Sequence, residues 1–428
     1  MKTPLISLLP LLAAPAWAAD THSSSLDQAV ASLLVAPASS AQPTPSPRLM
    51  DAALVLNAAA GCSNQTDTTE AMLQSGAHDP KKCGFSLQST ELSLSGAVDP
   101  YFSMNANVLY SDEHVELEEA FATTSSLPWG LQIKGGYFLS PFGAINASHP
   151  HNWAWMDQPV IASRILGSDG TRGAGASISW MLPGSTESRL IIGAQNADDD
   201  SMSSFLGAGH HGEEEHDHAA DEAETGMGGA PVVEREVSGG RDLLWHGRME
   251  TTGTLGSSSQ WRFGLSGMYG PNSSGNNAST RILGADLRLK WLPGNNFRGA
   301  PAVLWDSEWM QRYYAVAAYQ SEAGDVPGNT LKDSGYYTQL QYRFHPQWAA
   351  GLRYEHASGS GEQPGQPRSA DWQRNDRTRI SPLLTWAPTH FSRLRLQYNH
   401  DDADSLSGRA HTVWLGVEFL IGSHPAHE

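Results

Sequence analysis

Two histidine-bearing stretches carry the side chains best suited to chemistry. The first holds His210, His211, Glu213, Glu214, Glu215, His216, Asp217 and His218, followed by Asp221, Glu222 and Glu224. Four imidazoles and seven carboxylates in fifteen residues offer borderline nitrogen and hard oxygen donors, a mixture that suits Zn²⁺ and also Ni²⁺ or Cu²⁺. Such close spacing fits low-specificity capture better than a rigid tetrahedral site. The competing reading is a solvated acidic loop with incidental histidines. The second stretch is His149-Pro150-His151 with Asp157 six residues on. It reads as a metal site or as a constriction loop folded into a pore. The same residues also fit a loop held by His and Asp hydrogen bonds and anchored by Trp153 and Trp155.

Positive side chains form a third set, legible only through the elements that carry them. From Arg48 onward the dominant period is two: Leu394, Leu396 and Tyr398 oppose Arg393, Arg395, Gln397 and Asn399, and Val413, Leu415, Val417, Phe419 and Ile421 oppose Trp414, Gly416 and Glu418. This is the alternation of a half-wet β-sheet. About sixteen such segments occur, near 49–58, 85–96, 99–110, 113–125, 131–140, 171–182, 187–198, 241–254, 260–270, 280–292, 302–312, 334–345, 348–357, 376–386, 391–400 and 410–422. Short turns alternate with long loops, including 141–170 and 199–240, and aromatic residues (Trp180, Trp291, Phe344, Trp386, Phe391) gather near segment ends. These features predict an all-β fold, a 16-stranded antiparallel transmembrane β-barrel with short periplasmic turns and long external loops, the loop 59–84 among them.

On the polar face of these strands stand thirteen basic residues, Lys134, Arg189, Arg248, Arg262, Arg288, Lys290, Arg312, Arg343, Arg353, Arg377, Arg379, Arg393 and Arg395. Nine acidic residues share it: Glu91, Glu116, Glu118, Glu250, Asp286, Asp306, Glu308, Glu355 and Glu418. Charge facing lipid at mid-bilayer costs ~2–4 kcal/mol for Arg or Lys, so this face belongs inside. Arg248, Arg288, Arg343, Arg353, Arg377, Arg379, Arg393 and Arg395 are then the pore-lining candidates, and arginine rings favour anions. Wall-to-wall ion pairs that rigidify the barrel are the alternative.

Composition narrows the class further. The 428 residues carry a net charge of −18 and only 17% charged residues, with 42 Gly and 14 Trp. So negative a chain is a poor nucleic-acid binder, and so few charges are unlike an ordinary cytosolic domain. Lys2, the apolar run Leu5 to Pro15 and Ala16-Trp17-Ala18 read as a signal peptide over 1–18. Residues 19–48 read as a Ser/Pro-rich periplasmic linker, and 49–428 as the barrel. Cys62 and Cys83, the only cysteines, lie 21 residues apart in an exported chain and favour a disulfide. The sequence has no G-x-S-x-G, no HExxH and no phosphate loop, so no enzyme is expected.

The segments Glu116 to Phe121 (ELEEAF), Leu127-Pro128-Trp129-Gly130-Leu131, Phe142 to Pro159 (F-G-x-x-N-x-x-H-x-H-x-x-x-W-x-D-x-P), Val98 to Phe102 and Gly422 to His427 together resemble a family of Gram-negative outer-membrane porin-like proteins. That family is related to the phosphate-selective porins, and some members are named zinc-regulated outer-membrane receptors. The resemblance implies a 16-stranded barrel that passes small solutes. The expectation is therefore an outer-membrane channel for small hydrophilic solutes, linked to zinc acquisition through the external His/Glu-rich loop. The alternative is a surface metal-binding or adhesion protein that uses the barrel as an anchor. No cofactor is required, with Zn²⁺, Ni²⁺ or Cu²⁺ as ions the loop would take. The partners expected are outer-membrane lipid and lipopolysaccharide, small solutes or metal ions, and further copies of the chain in a homotrimer, with no nucleic acid.

Overall fold

The computed structural model describes residues 50–111, 115–184, 186–209, 226–227, 230–294, 296–321, 324–361 and 373–422. Sixteen antiparallel strands close into one barrel. In chain order they are β1 (Asp51–Ser63), β2 (Gly84–Ala97), β3 (Phe102–Tyr110), β4 (Val115–Thr124), β5 (Leu131–Leu139), β6 (Arg172–Leu182), β7 (Glu187–Asn196), β8 (Leu243–Leu255), β9 (Ser259–Pro271), β10 (Ser279–Trp291) and β11 (Ala302–Val316). A two-stranded hairpin, β12 (Tyr319–Ser321) with β13 (Gly324–Val326), sits outside the barrel sheet. The barrel resumes with β14 (Asn329–His345), β15 (Trp348–Ser360), β16 (Arg377–Thr389), β17 (Ser392–Ala403) and β18 (Ala410–Gly422). The seam pairs the first strand with the last, from Ala53 opposite Gly422 to Ser63 opposite Thr412. Closure leaves no open edge to pair with other chains.

Alternation does what the sequence predicts. Trp245, Met249, Leu396, Leu415 and Phe419 are exposed on the outer surface, while His246, Arg248, Glu250, Arg393 and Arg395 are buried on the inner one. Trp180, Trp291, Phe344, Trp386 and Phe391 are exposed outward near the short-turn end, as an interfacial girdle requires. No helix among the described residues is long and apolar enough to cross a membrane, so crossing falls to the strands. Cys62 and Cys83 are joined by the expected disulfide, at the base of the connection 64–83. Every expected strand is present. Several run further at the long-loop end, β14 starting at Asn329 and β17 ending at Ala403.

The barrel is not hollow at that end. Connections 64–83 and 140–171 fold back inside, carrying the short helices α1 (Asp67–Leu73) and α2 (Val160–Leu166). Thr66 caps α1 by accepting from the Thr69 amide at 3.2 Å. Phe142, Ile145, Val160, Ile161, Ile165 and Leu166 of the second segment pack with Phe205 and Leu206 against inward-facing Met268, Ile282, Met310 and Tyr337. Glycines in the wall make seats for this plug. A Cβ on Gly416 would lie 2.1 Å from Met156 Sδ, and one on Gly335 2.8 Å from Ile161 Cδ1. At its first turn Gly143 has φ +60°, and a Cβ there would lie 1.5 Å from Glu308 Oε1. That carboxylate accepts from the Ala144 and Ile145 amides at 3.3 Å and from Tyr337 Oη at 2.9 Å.

Candidate functional site inside the barrel

The inserted segment 140–171 divides the lumen into faces of different chemistry. On the β14–β18 side the arginines meet the plug. Asp157 accepts from Arg353, from Arg379 Nη1 at 2.8 Å, from Gln397 Nε2 at 2.7 Å and from Asn399 Nδ2 at 2.8 Å. Arg377 and Arg379 also donate to the Leu73 carbonyl at 2.7 and 2.8 Å, and Arg353 to the Asp157 carbonyl at 3.0 Å. Arg393 donates to the His151 carbonyl at 2.8 Å, and Arg395 to the carbonyls of Trp153, Ala154 and Trp155 at 3.3–3.4 Å. These guanidiniums act as glue for irregular backbone, which would otherwise be buried without partners.

The arginine expectation is thereby corrected. Arg353, Arg377, Arg379, Arg393 and Arg395 face inward, but they are buried under the plug rather than lining open water. Arg343 is buried as well, and Arg288 is paired with Asp306. Acids that the sequence left out balance the arginines. Asp401 binds Arg377 and Arg379 at 2.7 and 2.9 Å, and Asp333 binds Arg312 and Arg374 at 2.8 and 3.1 Å. Both sit on the unforeseen strand extensions. Asp157 is likewise placed apart from the metal set in which the sequence grouped it, because arginines and amides take its oxygens.

On the opposite side, β2 and β4 present carboxylates to the two histidines. His149 contacts Glu118 through Nδ1 and Glu119 through Nε2, both at 2.9 Å, and His151 Nδ1 contacts Glu91 at 2.7 Å. Their rings stack with centroids 5.8 Å apart. Glu118 and Glu119 both face inward because the β3–β4 register shifts at Asn107/Val108, a bulge that alternation cannot show. Burial alone would discharge His149, but Glu118 and Glu91 outweigh it and hold the imidazole pKa well above its ordinary value. The arrangement is a charged imidazole clasped by carboxylates. Glu91, Glu118 and His149 also bring ligand atoms within 4.8 Å of one another, a spacing that a cation would use only by displacing the imidazole proton.

Space remains between the plug and β5–β9. A cavity of about 170 Å³ there is lined by Lys134, Arg189, Arg248, Arg262 and Glu250, with Ser177, Ser179, Phe138 and Gly143. Arg248 is bound to Asp286 at 2.6 Å, and Arg189 to Glu250 at 3.1 Å while staying about a third exposed. Of the eight arginines singled out from the sequence, Arg248 is the one on this cavity. Arg189, Arg262 and Lys134 stand on the same inward face, and alternation alone could not rank them above residues that the plug covers. His210, His211, Glu213, Glu214, Glu215, His216, Asp217 and His218 lie outside the described residues, as do the signal peptide and linker.

Comparison with known proteins places the fold. No family model matches the chain. It is 28% identical over 364 residues to an uncharacterized protein of Aquifex aeolicus (strain VF5), covering 81% of this chain and 70% of that one. Among solved structures it resembles the outer-membrane channel DcaP of Acinetobacter baumannii, with TM-score 0.52 and 10% identity over 87% of this chain and 96% of that one. It also resembles the anion-selective porin from Comamonas acidovorans, with TM-score 0.50 and 8% identity over 87% of this chain and 99% of that one. At these identities the likeness is one of fold, that of the outer-membrane porins.

Proposed function

We propose that the chain is an outer-membrane channel for passive entry of small hydrophilic solutes, with a preference for anions. The reading rests on one observation, the cavity between plug and wall in which Lys134, Arg189, Arg248 and Arg262 meet a single lining carboxylate, Glu250. A site lined by fixed positive charge within a pore lowers the barrier for anions. The anion preference expected from the sequence is thus moved from the β16–β17 arginines to the β5–β9 wall. Planar-bilayer recording tests it. Discrete conductance steps are expected, and Arg189→Glu should lower the chloride-to-potassium permeability ratio by about twofold or more. Arg312→Gln, fully buried beside Asp333, should leave that ratio unchanged. A folded barrel that never gives steps would favour the anchor reading.

The resemblance to the phosphate-selective and zinc-regulated subfamily enters here as well. We infer that the His/Glu-rich stretch 210–224 gathers divalent metal at the external mouth. Calorimetric zinc titration of the full chain against a 208–226 deletion checks it: equal uptake by both would remove the claim.

A further inference from the structure

A second cluster, not foreseen from the sequence, joins three elements of the closed end. His78 comes from the connection 64–83, Glu116 from β4, and Asp169 from the end of the plug segment. Their ligand atoms, His78 Nε2, Glu116 Oε1 and Asp169 Oδ1, lie within 4.8 Å of one another. His78 is more than nine-tenths buried, yet neither of its ring nitrogens makes a hydrogen bond, and Asp169 Oδ1 makes none either. Buried polar atoms in that condition are uncommon and ask for a partner.

Nε2 is 3.4 Å from Asp169 Oδ1 and 3.9 Å from Glu116 Oε1. Those separations are too long for the charge-assisted hydrogen bonds that His149 makes nearby at 2.9 Å. The 3.4 Å separation does match the spacing of two ligands around one ion, and the 3.9 Å one would close by a few tenths of an ångström on binding. Two donors on a tetrahedron with metal bonds of about 2.1 Å are separated by about 3.4 Å.

The surroundings hold the three groups in place without help from an ion. The Ala77 amide donates to the Ser168 carbonyl at 3.0 Å, which sets His78 beside Asp169. The His78 carbonyl accepts from Gln88 Nε2 at 2.9 Å. Arg172 Nη2 takes Glu116 Oε2 at 2.7 Å, so that Oε1 is the oxygen turned toward His78. Two carboxylates and one guanidinium thus surround the imidazole. We propose that His78, Glu116 and Asp169 bind a first-row divalent transition cation of the Zn²⁺, Co²⁺ or Ni²⁺ class, fastening the connection 64–83 to the plug and to the wall. One nitrogen and two oxygens are a donor set for such ions, and three protein ligands leave a coordination position for water or exchange.

The site is independent of the channel reading and of the external loop, so the test removes the loop. The full-length protein lacking only 208–226, refolded in detergent, should bind one equivalent of Zn²⁺ by calorimetry. With Co²⁺ it should give a visible ligand-field spectrum. His78→Ala should abolish the spectrum and weaken Zn²⁺ binding at least tenfold, whereas His149→Ala should retain both. Asp169→Asn is nearly isosteric and serves as the second variant, with folding of each checked by heat-modifiable gel mobility. No Zn²⁺ bound by the loop-deleted protein would overturn the assignment. So would unchanged binding in folded His78→Ala and Asp169→Asn, with loss in His149→Ala placing the ion at Glu91 and Glu118 instead.

Discussion

Asp157 shows how one side chain can decide whether an irregular segment is tolerable inside a barrel. Its two oxygens face Arg353, Arg379, Gln397 and Asn399, and all five residues are buried. Removing one member of a buried pair leaves an uncompensated charge, and the penalty is about 3–5 kcal/mol. Asp157→Asn is therefore expected to lower the unfolding free energy by about 3–5 kcal/mol, read as a lower urea midpoint by tryptophan fluorescence. Arg409→Ala, which breaks the pair to Asp402 at 3.1 Å on the exposed rim, should shift it little. A small effect of Asp157→Asn would mean that the arginine bank is stable without the plug. Asp157 was visible in the sequence, and so were the arginines. Their partnership was not, since it joins residues 196 and 222 positions apart across the lumen. The remaining acids were lost to strand ends, Asp333 and Asp401 lying just beyond the predicted segments, and Glu119 to a bulge.

At the scale of elements, alternation made the strands legible because a period of two is imposed by lipid on one side and polar groups on the other. It failed for the plug. Met268, Ile282 and Met310 point inward, and without a partner segment in view each reads as a lapse in the pattern. The inward glycines Gly335 and Gly416 carried the missing signal, flat wall opposite the bulky Ile161 and Met156. Docking of the plug thus rests on apolar burial at its helix and on arginine bonds along its extended part. Ile161→Asp would place a carboxylate in the apolar cluster, where an unpaired charge is too costly to bury. The expected result is release of α2 from the wall and a single-channel conductance raised about twofold or more, with barrel folding intact. Unchanged conductance in a folded variant would show that another segment sets the constriction.

For the whole molecule, the net charge of −18 is spread unevenly, and its placement has consequences for transport. Seven acids lie within residues 210–224, which contain no Lys or Arg. Arginines under the plug are matched by Asp157, Asp333, Asp401 and Glu418, so they contribute little field to the path. On the proposed reading, with the stretch 210–224 at the external mouth, an entering ion meets acidic residues first and then the basic cavity at Lys134, Arg189, Arg248 and Arg262. The two fields oppose each other, and salt separates them by range. The Debye length is about 30 Å at 0.01 M and about 3 Å at 1 M, so the exterior acts on approaching anions only in dilute salt. The cavity acts at contact distance in both. Deleting 208–226 should therefore raise chloride conductance in 0.01 M salt by a factor of about two or more and leave it unchanged at 1 M. The selectivity at 1 M should still respond to Arg189→Glu. An equal effect of the deletion at both ionic strengths would mean that the loop obstructs the mouth sterically rather than by charge.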